Sequence, residues 1–152
     1  MIQRNAAVLA LLSVLMMATG CSGGSEPKTT KPPVPNAKYA DAPALSKALQ
    51  ATHVGCTGYA DDAKHPDAQS QGHCQVRGVS VTVAVYASEM EMMDQVARLQ
   101  RTLPKVNSSD RWLVMDRNWT VNCGIYKAIA YVIRDRLRGT VIPVEQSSSA
   151  RQ

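Results

Sequence analysis

The stretch 79-VSVTVAVY-86 decides the fold, because valine alternates strictly with smaller or more polar residues along it. Successive side chains of an extended strand point to opposite faces of a sheet, so all four valines share one face. A face lined with valine belongs against a hydrophobic core. Immediately before it, Arg77-Gly78 can turn the chain back onto residues 74–76, which predicts a β-hairpin.

A helix is predicted directly after this strand. Ser88 and Glu91 form a capping-box pattern, and Pro104 ends the helix. Its buried stripe consists of the apolar residues that recur at helical spacing, which are Met92, Val96, Leu99 and Leu103. Methionine at such positions is typical of core filling rather than of a ligand surface.

Upstream of the hairpin the sequence predicts a short helix, a strand and a loop. Asp41 is placed to cap the helix, whose first turn contains Pro43. Its apolar side consists of Leu45, Ala48, Leu49 and Thr52. The segment Val54 to Tyr59 is predicted as a strand that contains Cys56, and the polar segment 60–72 is predicted as a loop.

Downstream, two apolar runs, 112–115 and 119–123, are separated by Asp116-Arg117-Asn118, which predicts a second hairpin. A last helix is predicted from Ile125 to Arg138, with Ile125 buried and Gly139 ending it, followed by an edge strand at Val141-Ile142. This order of elements predicts an α+β domain, a small and mainly antiparallel sheet covered on one side by about three helices. Because the chain has no Phe and 5% aromatic residues, the core must be mainly aliphatic.

The N-terminal 21 residues, MIQRNAAVLALLSVLMMATGC, have the pattern of an export signal. Arg4 is followed by an uncharged apolar run at 6–18, and small residues at 18–20 precede Cys21. The run is shorter than the roughly 20 residues that a membrane-spanning helix needs. An ordinary signal peptide cut near the same place and a cytosolic N-terminal helix are the alternative interpretations.

This pattern resembles the lipobox of bacterial lipoproteins. The resemblance implies that signal peptidase II cuts before Cys21, that Cys21 carries a diacylglyceryl thioether and usually an acylated amine, and that the domain lies at the extracytoplasmic face of the cell membrane. The rest of the chain is similar to small secreted actinobacterial lipoproteins. The similarity rests on a cysteine after the first helix, a second cysteine before a Val-rich strand, and Asn118-Trp119 after a turn. It implies no molecular function, and Cys123 departs from the two-cysteine pattern.

The predicted organisation has four parts. Residues 1–20 form the lipoprotein signal peptide, 21–40 a lipidated tether rich in Pro, Gly and Ser, 41–144 the globular α+β domain, and 145–152 a disordered tail. The tether has too little apolar surface to fold alone. It is expected to hold the domain some distance from the membrane surface.

Three cysteines remain after lipidation of Cys21. Outside the cytoplasm a pair of thiols usually becomes a disulfide. Cys56 and Cys74 flank the predicted polar loop and adjoin neighbouring strands, so their pairing is predicted, with Cys123 in place of one of them as the alternative. An unpaired Cys123 is either a buried small hydrophobe or a reactive thiol, and its place at a strand end favours burial.

Metal and cofactor binding are not predicted. His53, Cys56, His73 and Cys74 are all possible zinc ligands, but in strands the members of each pair would point to opposite faces. The acidic residues of the polar loop match no calcium-binding pattern with fixed ligand offsets; they are Asp61, Asp62 and Asp67.

The sequence contains no phosphate-binding loop and no HExxH pattern. The pair of Cys123 and His73 is the remaining candidate for a thiol enzyme. Trp112 and Trp119 lie on either side of the second hairpin, each near an arginine. They are interpreted either as binding anchors or, from the strand alternation, as core residues.

The formal net charge of +5 becomes +4 once Arg4 leaves with the signal peptide. Acidic residues concentrate between 41 and 94, and basic residues between 98 and 138. The candidate binding surface therefore consists of Lys127, Arg134 and Arg138 on the last helix, together with Arg98 and Arg101. Its expected partner is an anionic envelope polymer or an acidic partner protein, and a merely solvated face is the alternative.

These observations favour a membrane-anchored, extracytoplasmic binding module without catalytic activity. Nucleic acid is not an expected partner, because both the location and the lack of an aromatic and basic platform oppose it. Two other interpretations remain open. One is a hydrolase or thiol enzyme of the cell envelope, and the other is an exclusion or immunity lipoprotein of a phage or mobile element.

Overall fold

One antiparallel sheet and three helices make up the domain in the computed structural model, which describes residues 36–63, 67–102 and 111–144. The helices are α1 (Ala42–Ala51), α2 (Glu89–Thr102) and α3 (Lys127–Leu137). The strands are β1 (Thr57–Asp61), β2 (Ser70–Val76), β3 (Val79–Val85), β4 (Arg111–Asp116), β5 (Trp119–Asn122) and β6 (Thr140–Val144). Their order in the sheet is β1-β2-β3-β5-β4-β6. The α+β prediction is therefore confirmed.

Several predictions concern parts of the chain that lie outside the described residues. They are the signal peptide at 1–20, lipidation at Cys21, the tether as far as residue 35, helix residues Leu103 and Pro104, and the tail at 145–152.

β3 lies in the middle of the sheet, hydrogen-bonded to β2 on one side and β5 on the other. Its residues Val81, Val83 and Val85 are all buried. The turn before it has positive φ at both Arg77 (51°) and Gly78 (78°). A type I′ turn requires this geometry, whose twist matches that of the paired strands, so the predicted hairpin forms.

Helices pack on both faces of the sheet, so the prediction of cover on one side is wrong. On one face, Leu45 and Leu49 of α1 and Ile133 of α3 join the valines of β3 in the main core. On the other face, α2 places Met92 against Ala84 and Tyr86, and Val96 against Leu113. The sequence concealed this second core, because small Ala84 in β3 and amphipathic Tyr86 just after it occupy positions that resemble a solvent face.

The helix caps follow the predicted local chemistry. The Asp41 carboxylate accepts a hydrogen bond from the Ala44 N–H at 2.8 Å, and α1 has proline in its first turn. At α2, the Ser88 hydroxyl accepts from the Glu91 N–H at 3.1 Å. The Glu91 carboxylate in turn accepts from the Ala87 N–H at 3.2 Å, one residue earlier than in the usual capping box.

The first two strands differ from their predicted bounds. β1 begins at Thr57 rather than at Val54, because the chain turns through positive φ at His53 and Gly55. β2 begins at Ser70, so the loop predicted at 60–72 is shorter. The first residues of β2 are polar, so the sequence shows no alternation of apolar residues there. Gly72 is required there, since a Cβ would lie 2.5 Å from the Ala60 carbonyl oxygen.

α3 begins later than predicted, and Ile125 is 42% exposed rather than buried, because the chain first turns at Gly124 and Ile125. At the other end, Arg138 adopts the left-handed conformation expected of Gly139. Gly139 has a different role, since a Cβ there would lie 2.9 Å from the Met115 carbonyl oxygen. β6 follows as the predicted edge strand and pairs with β4.

Candidate functional site

The Cys56–Cys74 disulfide is present, with a Cα–Cα distance of 5.4 Å, which confirms the predicted pairing. The bond uses two of the four side chains considered for zinc. Of the other two, His53 is exposed, and His73 lies 2.9 Å from a carboxylate oxygen of Asp62. In the described ranges, no three His, Cys, Asp or Glu side chains are grouped as metal ligands would be.

Cys123 is a free and fully buried thiol, as predicted. Burial raises the pKa of this thiol to about 12, so it stays protonated near neutral pH. It lies on the core face, whereas His73 lies on the other face, because the adjacent Cys74 of β2 points into the core. The structure therefore does not bring together the pair considered for a thiol enzyme.

The two tryptophans have different environments. Trp119 is fully buried, and its indole N–H donates to the Ala37 carbonyl oxygen at 3.1 Å. Trp112 is only partly buried and lies at the boundary between β4 and α3. The core interpretation is therefore right for Trp119, and Trp112 remains a candidate anchor.

Trp112 belongs to a row of alternating cationic and aromatic side chains. The Lys127 ammonium lies 4.5 Å from the centroid of the Trp112 ring, and the Arg134 guanidinium lies 4.6 Å from that of the Tyr131 ring. The two ring centroids are 6.4 Å apart. Residues 127, 131 and 134 share one side of α3, because three- and four-residue spacings bring side chains together on a helix. These cation–π contacts hold both charges in defined positions.

Exposed apolar side chains also lie just before Lys127, at the start of α3, and at Tyr131 within it. Ile125 and Tyr126 are 42% and 50% exposed, and Tyr131 is 37% exposed. Large apolar side chains grouped at a surface frequently mark an interaction site. The whole group, named here the α3 surface, consists of Trp112, Ile125, Tyr126, Lys127, Tyr131 and Arg134.

Charge near the α3 surface is predominantly positive. The helix and its C-cap residue carry four basic side chains and one acidic side chain, Asp135. Asp135 pairs with Arg134 at 2.6 Å, and both groups are solvent-exposed, so the pair adds little stability.

The five basic residues of the predicted binding surface do not lie together. Lys127 and Arg134 belong to the α3 surface, and Arg138 lies just past the end of α3. Arg98 and Arg101 are on α2, which packs on the opposite face of the sheet. Arg98 also pairs with Asp67 at 2.6 Å.

The pair of Arg98 and Asp67 helps line an open groove of about 530 Å³ between α2 and the loop before β2. Glu91 and Asp94 make this groove predominantly acidic. The described residues that line it include no Ser, Thr, Cys or His.

Sequence reasoning identified the cations of the α3 surface but missed Tyr131, Ile125 and Tyr126. Tyr131 had a detectable signal, since it lies four residues after Lys127 and three before Arg134. Ile125 was assigned to the core because the helix was started too early. Trp112 meets Lys127 only through packing of β4 on α3, which the sequence does not reveal.

Comparison with protein-family models, curated proteins and solved structures finds no match to the chain. No helix in the described ranges has the length and apolar character needed to cross a membrane.

Proposed function

We propose that this protein is a lipid-anchored, extracytoplasmic binding module that uses the α3 surface to hold an anionic partner at the cell envelope. Anchoring is supported by the lipobox ending at Cys21 and by the resemblance that it carries. Binding is supported above all by one observation, the exposed row in which Lys127 and Arg134 lie over the rings of Trp112 and Tyr131.

The residue types in this row are those that dominate binding energy at protein surfaces. Trp, Tyr and Arg are enriched among interface residues whose truncation costs more than 2 kcal/mol by typical measurements. Their rings give a large contact area for few rotatable bonds. Here the cations are already positioned by the rings, so less side-chain entropy is lost on binding.

The sign of the charge selects the partner. A surface with an excess of Lys and Arg attracts anionic groups, and complementary charge mainly increases the association rate and specificity. Such attraction is screened beyond about 8 Å at physiological ionic strength, so binding should weaken as salt is added.

Membrane fractionation tests the anchor. Replacing residues 1–21 with a signal peptide that signal peptidase I cleaves is expected to release the exported protein into the soluble fraction, because this change removes both the lipid attachment site and the apolar signal. The unchanged protein should remain with the membranes. Retention of the substituted protein in the membrane fraction would contradict the lipoprotein proposal.

Co-sedimentation of this released, unlipidated protein with isolated cell envelopes tests the surface. In this background, Lys127→Gln with Arg134→Gln is expected to reduce binding at least tenfold. Arg98→Gln with Arg101→Gln removes the same charge from α2 and is the matched control, which should bind normally. Equal losses for the two pairs would indicate dependence on net charge alone, and no loss for the α3 pair would refute the proposed site.

A further inference from the structure

The chain enters the domain at a defined point. The Ala37 carbonyl accepts from the Trp119 indole, and both backbone polar groups of Tyr39 bond to the Asn118 side chain, at 3.2 and 2.9 Å. Asn118 lies in the turn between β4 and β5. Residues 37–39 are therefore attached to this end of the sheet, named here the proximal end.

The α3 surface begins at the opposite, distal end. The Trp112 N–H donates to the Gly124 carbonyl at 2.7 Å, and the Cys123 N–H donates to the Trp112 carbonyl at 2.9 Å, where β4 and β5 are farthest from their turn. Ile125 and Tyr126 follow immediately. The five residues from Trp112 to the turn correspond to about 17 Å at 3.4 Å per residue.

We infer that the α3 surface, with exposed Ile125 and Tyr126 at its distal end, docks an acidic partner protein. This inference rests on the proposed function.

The chemistry of the surface favours a protein over a glycan. Sugar rings stack on free aromatic faces, but Lys127 and Arg134 lie over the faces of Trp112 and Tyr131. Exposed Ile125 adds an aliphatic contact that a carbohydrate does not need. An apolar centre rimmed by charge is the usual anatomy of a protein interface. The basic residues of α3 and its C-cap, four against one acidic residue, favour a partner with anionic groups, which in a protein are the carboxylates of Asp and Glu.

Photo-crosslinking in intact cells tests the inference with the full lipidated protein. A benzophenone amino acid replaces Tyr126, which caps α3 without a side-chain hydrogen bond, so the fold should tolerate the change. Arg117, exposed in the proximal turn, is the matched control position. We expect a discrete, protease-sensitive adduct from position 126 only, linked to a segment rich in Asp and Glu. Adding Lys127→Gln and Arg134→Gln should reduce its yield at least tenfold.

The other outcomes separate failure of this inference from failure of the proposed function. A lipid adduct at position 126 would indicate membrane contact, and an adduct released by wall-degrading enzymes would indicate a glycan. Either result overturns the inference while leaving a binding module. A protein adduct without excess acid, an adduct from position 117 alone, or no adduct despite envelope binding also overturns it. Loss of both crosslinking and envelope binding would refute the proposed function itself.

Discussion

Asn118 is expected to be one of the most sensitive polar positions in the domain, because its side chain joins three parts of the chain. Its amide oxygen accepts from the Tyr39 N–H, and its amide NH₂ donates to the carbonyl oxygens of Tyr39 and Tyr86, at 2.9 and 3.1 Å. The residue is 7% exposed, so water cannot readily replace these partners. Removing the side chain leaves the buried Tyr86 carbonyl and the partly buried backbone groups of Tyr39 without these hydrogen bonds.

The magnitude follows from the number of bonds. Each intramolecular hydrogen bond contributes about 1 kcal/mol net, so Asn118→Ala should lower the free energy of unfolding by about 3 kcal/mol. Asn118→Asp keeps the side-chain shape and the oxygen that accepts from the Tyr39 N–H. Its second carboxyl oxygen, however, replaces the NH₂ group and faces the carbonyl oxygens of Tyr39 and Tyr86. Burial and this repulsion raise the pKa of the introduced carboxyl. Its ionisation therefore opposes folding, and the variant should regain stability as the pH falls from 7 toward 4.

Urea unfolding followed by tryptophan fluorescence measures these effects. A loss of about 3 kcal/mol corresponds to a midpoint lower by about 1 to 3 M urea for usual slopes. Asn122→Ala is the matched control, because it removes one hydrogen bond, from the Gly124 N–H at 2.9 Å, and should cost about 1 kcal/mol. Equal costs at the two positions, or a stable Asn118→Asp protein at pH 7, would refute the proposed role of Asn118.

Three further predictions concern the core. The pKa of the Cys123 thiol is raised from its ordinary value of 9.0 to about 12 in the folded domain. Ionisation of this thiol should therefore lower the free energy of unfolding by about 1.4 kcal/mol per pH unit as the pH rises between these two values. In alkaline urea titrations, Cys123→Ala should remove that part of the slope, and an unchanged slope would contradict the burial argument. Replacing Cys56 and Cys74 together with Ala should cost about 3 kcal/mol in the chain-entropy model, measured as a lower urea midpoint that reductant no longer alters. Gly139→Ala should cost about 1–3 kcal/mol in thermal unfolding, since its Cβ would meet Met115 backbone at 2.9 Å; a neutral result would show that the backbone can yield there.

Local signals in the sequence were sufficient for most of the elements. The valine alternation identified β3, the Arg77-Gly78 turn identified its hairpin, and caps at Asp41 and Ser88 identified two helix starts. These features depend on chemistry within a few residues of one another, which sequence patterns report directly. The Cys56–Cys74 bond was also accessible, since both cysteines flank one loop between adjacent strands.

Weak local signals explain the misplaced boundaries. The first residues of β2 are polar and include Gly72, so nothing distinguished them from the loop. At α3, an apolar Ile125 before a helical pattern was indistinguishable from a first buried turn. In both cases the partner strand or the backbone turn, rather than the residue itself, decides the conformation.

The sequence by itself thus determined the α+β class, the strand and helix order and the disulfide, and it predicted the export signal that ends at Cys21. Only the tertiary structure decided that α2 packs on the second face, that Trp119 is core while Trp112 meets Lys127, and that Tyr39 bonds to Asn118 far along the chain. The physical reason is that such contacts depend on which faces remain uncovered once the sheet has assembled. Residues distant in sequence acquire their roles only through that packing.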